Sequence, residues 1–201
     1  MTTRIGIIGA GAIGSAFARA LARAGIPAIM ANSRAPASLA DLVRDLGPAI
    51  EAGTRAQAAA ADLVLVAVNW SKLPAALAGL PPWNGRIVID ANNPIEAPLF
   101  QPVDLHGRAS SEVFADLVPG ARVVKAFSHL RPEVLAGDPR AEGGRRVVFY
   151  AGDEDAAKAE VEALIDRLGF FGIDLGSLTG GGRLVQFPGG PLPGHNLVRF
   201  D

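Results

Sequence analysis

A chain of 201 residues with 49% hydrophobic content suits one α/β domain with a small appendage, with enough apolar side chains for a full core. Its formal net charge of −1 gives no electrostatic basis for binding nucleic acid or a membrane surface. It has no cysteine, which excludes disulfides, thiolate metal sites and thiol redox chemistry. The sequence enters a strand within its first few residues, so no secretory leader is expected. The longest apolar run, residues 58–68, is interrupted by Asp62 and too short to span a bilayer. The expectation is a cytoplasmic protein.

Residues 4–8 read as a short buried strand, and residues 15–23 as a helix with Ala16, Phe17, Ala20, Leu21 and Ala24 on one side. Between them stands Gly9-Ala10-Gly11-Ala12-Ile13-Gly14, a G-x-G-x-x-G set between strand and helix. In that setting Gly9 permits the turn, Gly11 lets a pyrophosphate approach the backbone, and Gly14 lets the helix pack on the strand. The helix N-terminus offers N–H groups and partial positive charge to the phosphates. Gly9, Gly11, Ala12 and Ile13 are the candidate phosphate contacts.

Residues 27–31 read as a second strand, ending in Asn32-Ser33-Arg34, where the adenosine ribose of a bound dinucleotide belongs. The first acid after the glycines is Asp41, too late to bind a ribose 2′-hydroxyl from this turn. Arg34 can pair with a 2′-phosphate in fork geometry, and Asn32 and Ser33 can add neutral hydrogen bonds. The triplet favours NADP(H) over NAD(H); its other reading is a polar turn leading into a helix at residues 38–46.

Residues 50–52 read as a short strand and 55–61 as a short helix that Thr54 can cap. Residues 63–68 are apolar throughout, as in a parallel strand covered on both faces, and end in Asn69-Trp70. A helix near 73–80, a Pro81-Pro82 break and a strand at 86–90 follow, the strand delivering Ala91-Asn92-Asn93-Pro94. Residues at the C-terminal ends of parallel strands sit where such sheets bind ligands. Val68, Asn69, Trp70, Asn92, Asn93 and Pro94 therefore join the candidate cofactor contacts, although Asn69 and Asn93 also read as loop caps.

Residues 95–109 read as a long loop, 111–117 as a helix, and 122–127 as a strand that delivers Ser128-His129. Residues 132–144 look loop-like, 146–151 read as a strand, 153–168 as an amphipathic helix and 170–175 as a last strand. From Gly180 the chain is rich in Gly and Pro but keeps Leu184, Val185, Phe187, Leu192, Leu197, Val198 and Phe200, too apolar for a disordered tail. The expected architecture is a Rossmann-type, doubly wound, mostly parallel α/β sheet in residues 1–182. Residues 183–201 form a short Gly/Pro-rich arm, packed on that domain or on a partner subunit of a homodimer.

Taken together, Gly9 to Gly14, Asn32-Ser33-Arg34, Val68-Asn69-Trp70, Asp90-Ala91-Asn92-Asn93-Pro94, Val124-Lys125-Ala126-Phe127 and Asp174-Leu175-Gly176-Ser177-Leu178 resemble the deazaflavin (coenzyme F-420)-dependent NADP reductase family, especially its short bacterial members. The likeness runs over essentially the whole chain. It implies a Rossmann domain holding NADP(H), with the nicotinamide facing a pocket for a flat hydride acceptor, a deazaflavin or flavin. It also implies that Ser33 and Arg34 contact the 2′-phosphate, that Trp70 and its neighbours lie along the cofactor, and that Ala126 sits by the nicotinamide carboxamide. Two features depart from the pattern. Ser128-His129 stands where close relatives tend to have Asn-Thr, and the arm is shorter than the helical segment of the deazaflavin reductases.

Hydride transfer between stacked rings needs orientation rather than a protein acid or base. No catalytic side chain is required on this reading. His129 alone could give an acceptor a hydrogen bond or a proton, and its other and stronger reading is a hydrogen-bonded loop histidine. His106 and His195 lie in loops with no ligand spacing, so no metal site is expected. The competing functions are an imine or small-carbonyl reductase of the pyrroline-carboxylate-reductase type and a non-catalytic NADPH-binding module.

Overall fold

The computed structural model describes residues 3–96 and 99–200. Asp201, the last residue of the expected arm, and residues 97–98 of the expected long loop lie outside the described residues, as do Met1 and Thr2. Eight strands form the main path of a ten-stranded sheet: β1 (Ile5–Ile8), β2 (Ala28–Ala31), β3 (Ile50–Ala52), β4 (Leu63–Val66), β5 (Ile87–Asp90), β6 (Arg122–Ala126), β7 (Gly144–Gly152) and β8 (Phe171–Asp174). Their spatial order is β8-β7-β6-β5-β4-β1-β2-β3. Strands β1 to β6 are mutually parallel; β7 runs antiparallel to β6, and β8 follows β7 in parallel. The fold is therefore the doubly wound Rossmann arrangement, with its strand order reversing between β1 and β4.

The helices are α1 (Ala12–Arg23), α2 (Ala40–Leu46), α3 (Arg55–Ala59), α4 (Leu73–Leu77), α5 (Ser110–Asp116), α6 (Pro132–Ala136), α7 (Asp155–Arg167) and α8 (Gly181–Leu184). Alternation along the strands divides the core in two. Leu63, Leu65, Ile87 and Ile89 pack with Phe17 and Leu21 of α1 and Val161 and Ile165 of α7. Val64, Val66 and Val88 face the other way, against Trp70, Leu73, Trp83 and Phe114. Both faces are covered, which is why these strands read as unbroken apolar runs.

Several boundaries differ from the sequence reading. Helix α1 begins at Ala12, inside the glycine motif, rather than at residue 15: apolar periodicity marks only the part of a helix that meets the sheet. Strand β4 stops at Val66, not at residue 68, because the Val68 N–H donates to the side-chain Oδ1 of Asn92 at 2.9 Å instead of to a neighbouring strand. Residues 132–144 are not loop. They hold α6, begun by Pro132 at its first turn and fixed by Leu135 in the core, and a two-residue pairing of Arg140–Ala141 with the start of β7. Such short pieces carry no periodic signal. Residues 95–109 likewise contain a small ladder, Ile95–Glu96 with Gln101–Pro102.

The arm crosses back over the domain. Val185 packs with Val147 and Phe149 of β7, and Val198–Arg199 pairs antiparallel with Arg145 and Arg146. The Phe187 N–H donates to Asn93 Oδ1 at 2.9 Å, and the Gly194 N–H to the His129 carbonyl at 2.9 Å. Leu184, Phe187, Leu197 and Phe200 stay exposed, as do Leu99 and Phe100 of the small ladder's turn.

Inside the sheet, Asp90 and Lys125 form an ion pair with no solvent exposure on either side chain, Nζ lying 3.1 Å from Oδ2. Lys125 Nζ also donates to the Asn92 carbonyl. The other Asp90 oxygen accepts from the Asn92 backbone N–H at 2.9 Å and from its side-chain amide at 2.8 Å. That amide donates again to the Val66 carbonyl at 3.1 Å. One network thus ties the C-terminal ends of β4, β5 and β6. Removing one partner of such a pair strands a buried charge, whereas replacing both relieves it. Lys125→Met should lower unfolding free energy by about 3–5 kcal/mol, and Asp90→Leu combined with Lys125→Met should lose clearly less than the sum of the two single changes, measured by urea denaturation at pH 7.

Candidate functional site

The sequence-predicted residues come from segments that follow neighbouring parallel strands. The glycine motif follows β1, Asn32-Ser33-Arg34 follow β2, Val68-Asn69-Trp70 follow β4, and Asn92-Asn93-Pro94 follow β5; Ala126 closes β6. All lie along the C-terminal edge of the sheet, centred on the reversal between β1 and β4. At about 4.8 Å per strand, β2 and β6 are about 19 Å apart. That span suits a ligand with two ring systems joined by a linker.

At the first bend the three glycines do different jobs. Gly9 has φ +118°, and a Cβ there would stand 2.0 Å from the Ala67 carbonyl oxygen. A Cβ on Gly14 would stand 2.0 Å from the Gly9 carbonyl oxygen. Those two are demanded by the fold itself. Gly11 is different, because a Cβ on it would meet nothing within 4 Å. It is exposed and opens on free space at the N-terminus of α1, whose first turn has neither a side-chain cap nor an acidic residue. Uncapped N–H groups beside open space are a ready anion cradle. Ala12 is exposed and Ile13 half-buried at the same turn.

At the end of β2, Asn32 Oδ1 accepts the Arg34 N–H at 2.8 Å, and its amide lies 3.0 Å from Ser38 Oγ. This Asx turn shapes the loop and leaves Ser33 and Arg34 exposed. Asp41, the first acid, pairs on its own helix with Arg44 at 2.9 Å.

The β4 and β5 ends are more committed. Trp70 is buried among Leu73, Leu77 and Trp83, so its indole is a core group rather than an exposed ring. Asn69 is exposed. All three hydrogen-bonding sites of the Asn92 amide described above are taken within the fold. Asn93 also bonds internally: its amide donates to the Ser128 carbonyl at 2.8 Å, and its oxygen accepts from Phe187 in the arm. The polar groups that sequence reasoning offered to a ligand therefore build the edge itself. Sequence reasoning missed the buried Asp90–Lys125 pair, whose signal was a charge at the C-terminal end of each of two largely apolar strands. It also missed the arm's crossing of the β5 and β6 ends, for which no local signal existed.

Beyond Ala126 the chain bends. Phe127 adopts φ +63°, unusual for a bulky residue, and packs its ring 5.0 Å from that of Phe17. Ser128 and His129 follow, both buried. The His129 ring lies 5.0 Å from that of Phe149, with Nε2 3.5 Å from the Phe149 amide nitrogen. Burial pushes its pKa down to about 4, only partly offset by the nearby Val147 backbone, so the ring is neutral near pH 7. Among the described residues, four buried side-chain polar atoms have no hydrogen-bond partner: Ser110 Oγ, Ser111 Oγ, Ser128 Oγ and His129 Nδ1. All four belong to segments tied to the arm. The Ser110 N–H donates to Gln186 at 2.7 Å, a Cβ on Gly182 would come within 2.9 Å of Ser111 Oγ, and the His129 carbonyl accepts from Gly194. The Ser128 carbonyl is linked to Phe187 through Asn93.

Comparison with known proteins agrees with this fold. Residues 4–94, which run from β1 through the end of β5, match the family described as NADP oxidoreductase, coenzyme F-420-dependent. Among solved structures the chain is similar to a hypothetical protein from Sinorhizobium meliloti, with 46% identity, 99% of this chain and 96% of that one covered, and a TM-score of 0.93. It is similar to a candidate F-420-dependent NADP reductase from Arthrobacter sp. FB24, with 30% identity, coverages of 88% and 86%, and a TM-score of 0.74. A reductive aminase from Aspergillus terreus, in complex with NADPH and ethyl-5-oxohexanoate, shares 25% identity over 90% of this chain and 57% of its own, with a TM-score of 0.65. The metalloreductase STEAP3 of Rattus norvegicus is 29% identical over 191 residues, 94% of this chain but 37% of that protein, so the chain spans little more than a third of that relative's length. With the fold and the matched residues in accord, the chain belongs to the coenzyme F-420-dependent NADP oxidoreductase family, whose members are NADP-dependent oxidoreductases.

Proposed function

We propose that this chain binds NADPH along the C-terminal edge of its sheet and passes hydride to a planar acceptor of the deazaflavin or flavin type. The observation that carries the reading is the pairing of an open, uncapped α1 N-terminus at Gly11 with an exposed arginine at the next strand end. The first suits a pyrophosphate and the second a ribose 2′-phosphate, with Gly9, Ala12, Ile13, Asn32 and Ser33 alongside. Val68, Asn69, Trp70, Asn92, Asn93 and Pro94 would meet the cofactor through backbone and shape more than through side-chain hydrogen bonds. Ala126 is fully buried with its side chain in the core, so it would meet the nicotinamide through its backbone.

When bound, the dihydronicotinamide supplies a hydride, two electrons with one proton. The chain's part is orientation and exclusion of water, contributions that can outweigh proton transfer by several orders of magnitude. His129 is neutral, and the Asp90–Lys125 pair is sealed inside the sheet. The similarity to a reductive aminase keeps imine or small-carbonyl reduction as the second reading, since those substrates need a proton as well as a hydride. A cofactor-binding module without turnover is the third.

Arg34→Ala should weaken NADPH binding by ten- to a hundredfold, about 1.5–3 kcal/mol, and barely change NADH binding, read by fluorescence titration. Equal wild-type affinity for the two cofactors would overturn the assignment. Gly11→Ala should leave the thermal midpoint in place but weaken NADPH binding at least tenfold, on the order of 1.4 kcal/mol or more. Gly14→Ala should instead lower the midpoint, because its methyl meets the Gly9 carbonyl.

Turnover with NADPH and a panel of acceptors (coenzyme F-420, FMN, cyclic imines) separates the three readings. On the leading one, His129→Ala lowers kcat by less than about tenfold, Ala126→Phe nearly abolishes it, and the pH profile has no limb near 6.5. A thousandfold loss at His129 with that limb present would favour the imine reading. The same histidine sets an acid limit on stability. An unfolded imidazole titrates near 6.5, and His129 titrates at about 4 in the fold, so the unfolded chain takes up the proton first as pH falls. Stability present above pH 6.5 is therefore lost between 6.5 and 4, by about 3 kcal/mol for the full shift. His129→Phe should flatten that part of the acid limb, seen as a smaller drop in urea midpoint between pH 7.5 and pH 4.5.

A further inference from the structure

We propose that Ser128 Oγ and His129 Nδ1 are a recognition pair for a planar amide edge, one that presents a carbonyl and an N–H side by side. The inference rests on the NADPH reading above and goes further, by assigning residues and a ligand chemistry to the β6 end of the site. Buried polar groups in folded proteins nearly always find partners, so two orphans on consecutive residues call for an explanation. Both residues are more than nine-tenths buried, and neither atom has a partner. They follow Ala126 directly, at the strand end two places from the reversal point, where a ring system joined to a pyrophosphate at Gly11 would arrive.

The two residues are also held in place. Phe127 bends the chain in the left-handed region, and such strain concentrates where a site is shaped. The Ser128 carbonyl is held by Asn93, the His129 carbonyl by Gly194, and the imidazole by Phe149. What remains free is one hydroxyl and one ring nitrogen. The Phe149 N–H donates to Nε2 at 3.5 Å, which places the ring hydrogen on Nδ1, and a serine hydroxyl rotates to accept or donate. The pair therefore presents one fixed donor and one adaptable group, which an amide edge answers with its carbonyl on Nδ1 and its N–H on Oγ. An apolar ring would leave both atoms unsatisfied.

Two sources carry that chemistry here: the carboxamide of the nicotinamide, and the ring amide of a deazaflavin or flavin acceptor. The variants Ser128→Ala and His129→Phe remove each atom with little change of volume, and Ser128→Thr keeps the hydroxyl. The first measurement is the Kd of NADPH and of its 3-acetylpyridine analogue, in which a methyl replaces the amide nitrogen, without any acceptor. The second is the KM of coenzyme F-420 and of FMN at saturating NADPH. If the carboxamide is bound, the wild type prefers NADPH to the analogue by about tenfold, each removal variant loses most of that preference, and Ser128→Thr retains it. If the acceptor is bound, cofactor preference is the same in all proteins, and acceptor KM rises about tenfold in the removal variants but not in Ser128→Thr. Either pattern supports the pair. Unchanged cofactor preference together with unchanged acceptor KM in Ser128→Ala overturns it, whether or not His129→Phe folds. A wild type that binds NADPH no better than NADH overturns the underlying cofactor reading instead.

Discussion

The site hangs on a salt bridge that no solvent reaches. Asp90 and Lys125 sit at the ends of adjacent parallel strands, and their charges are balanced only by each other and by Asn92. Asn92 passes the constraint to Val66 and Val68 at the end of β4. A ligand edge built only of loops would let its residues drift, and hydride chemistry loses rate steeply when reacting atoms move by even 1 Å. Here the loop after β4, the loop after β5 and the bend after β6 are fixed to one another beneath the surface that a cofactor would touch. Asn93 extends the same logic outward, joining Ser128 to the arm.

The two ends of the edge differ in character. At β1 and β2 the polar groups are open: an uncapped helix start, an exposed serine and an exposed arginine on a loop shaped by its own asparagine. At β5 and β6 they are enclosed by the arm, with Ser128 Oγ and His129 Nδ1 still unpartnered. An anion needs donors and access, whereas a flat ring needs walls and a few aimed contacts. The open end suits phosphates and the enclosed end suits rings, which is the polarity of a dinucleotide lying from β2 to β6.

Much of the cofactor end was legible in the sequence because its demands are local. Gly14 is imposed by a clash with the Gly9 carbonyl five residues earlier and Gly9 by the positive φ of its own turn, and the strands declare themselves by apolar runs of the length a two-faced sheet requires. The rest depends on contacts between segments far apart. Nothing near Asn92 says that its amide will be used up by β4, and nothing near Trp70 says that its indole will turn inward. Helix α6 is too short for a periodic pattern, and the reversal of β7 is a choice of direction, which a run of apolar residues does not encode. The arm's path is set by contacts with distant residues, among them Asn93, Ser110, His129 and strand β7, and glycine and proline composition alone does not predict a destination.

The reversal at β7 also orders events during synthesis. Every segment of the edge from Gly9 to His129 precedes it in the chain, while α8 and the strand at Val198–Arg199 emerge only after β7 and β8. Domains tend to acquire structure as they leave the ribosome, N-terminal part first. A nascent chain of this protein therefore passes through a stage in which the glycine turn and the β2 end have emerged but the wall beyond β6 has not. During that interval Val147 and Phe149 lack the cover that Val185 later provides, and Asn93 and His129 lack their partners from the arm. A dinucleotide captured at that stage would brace the half-built sheet before the arm closes over it.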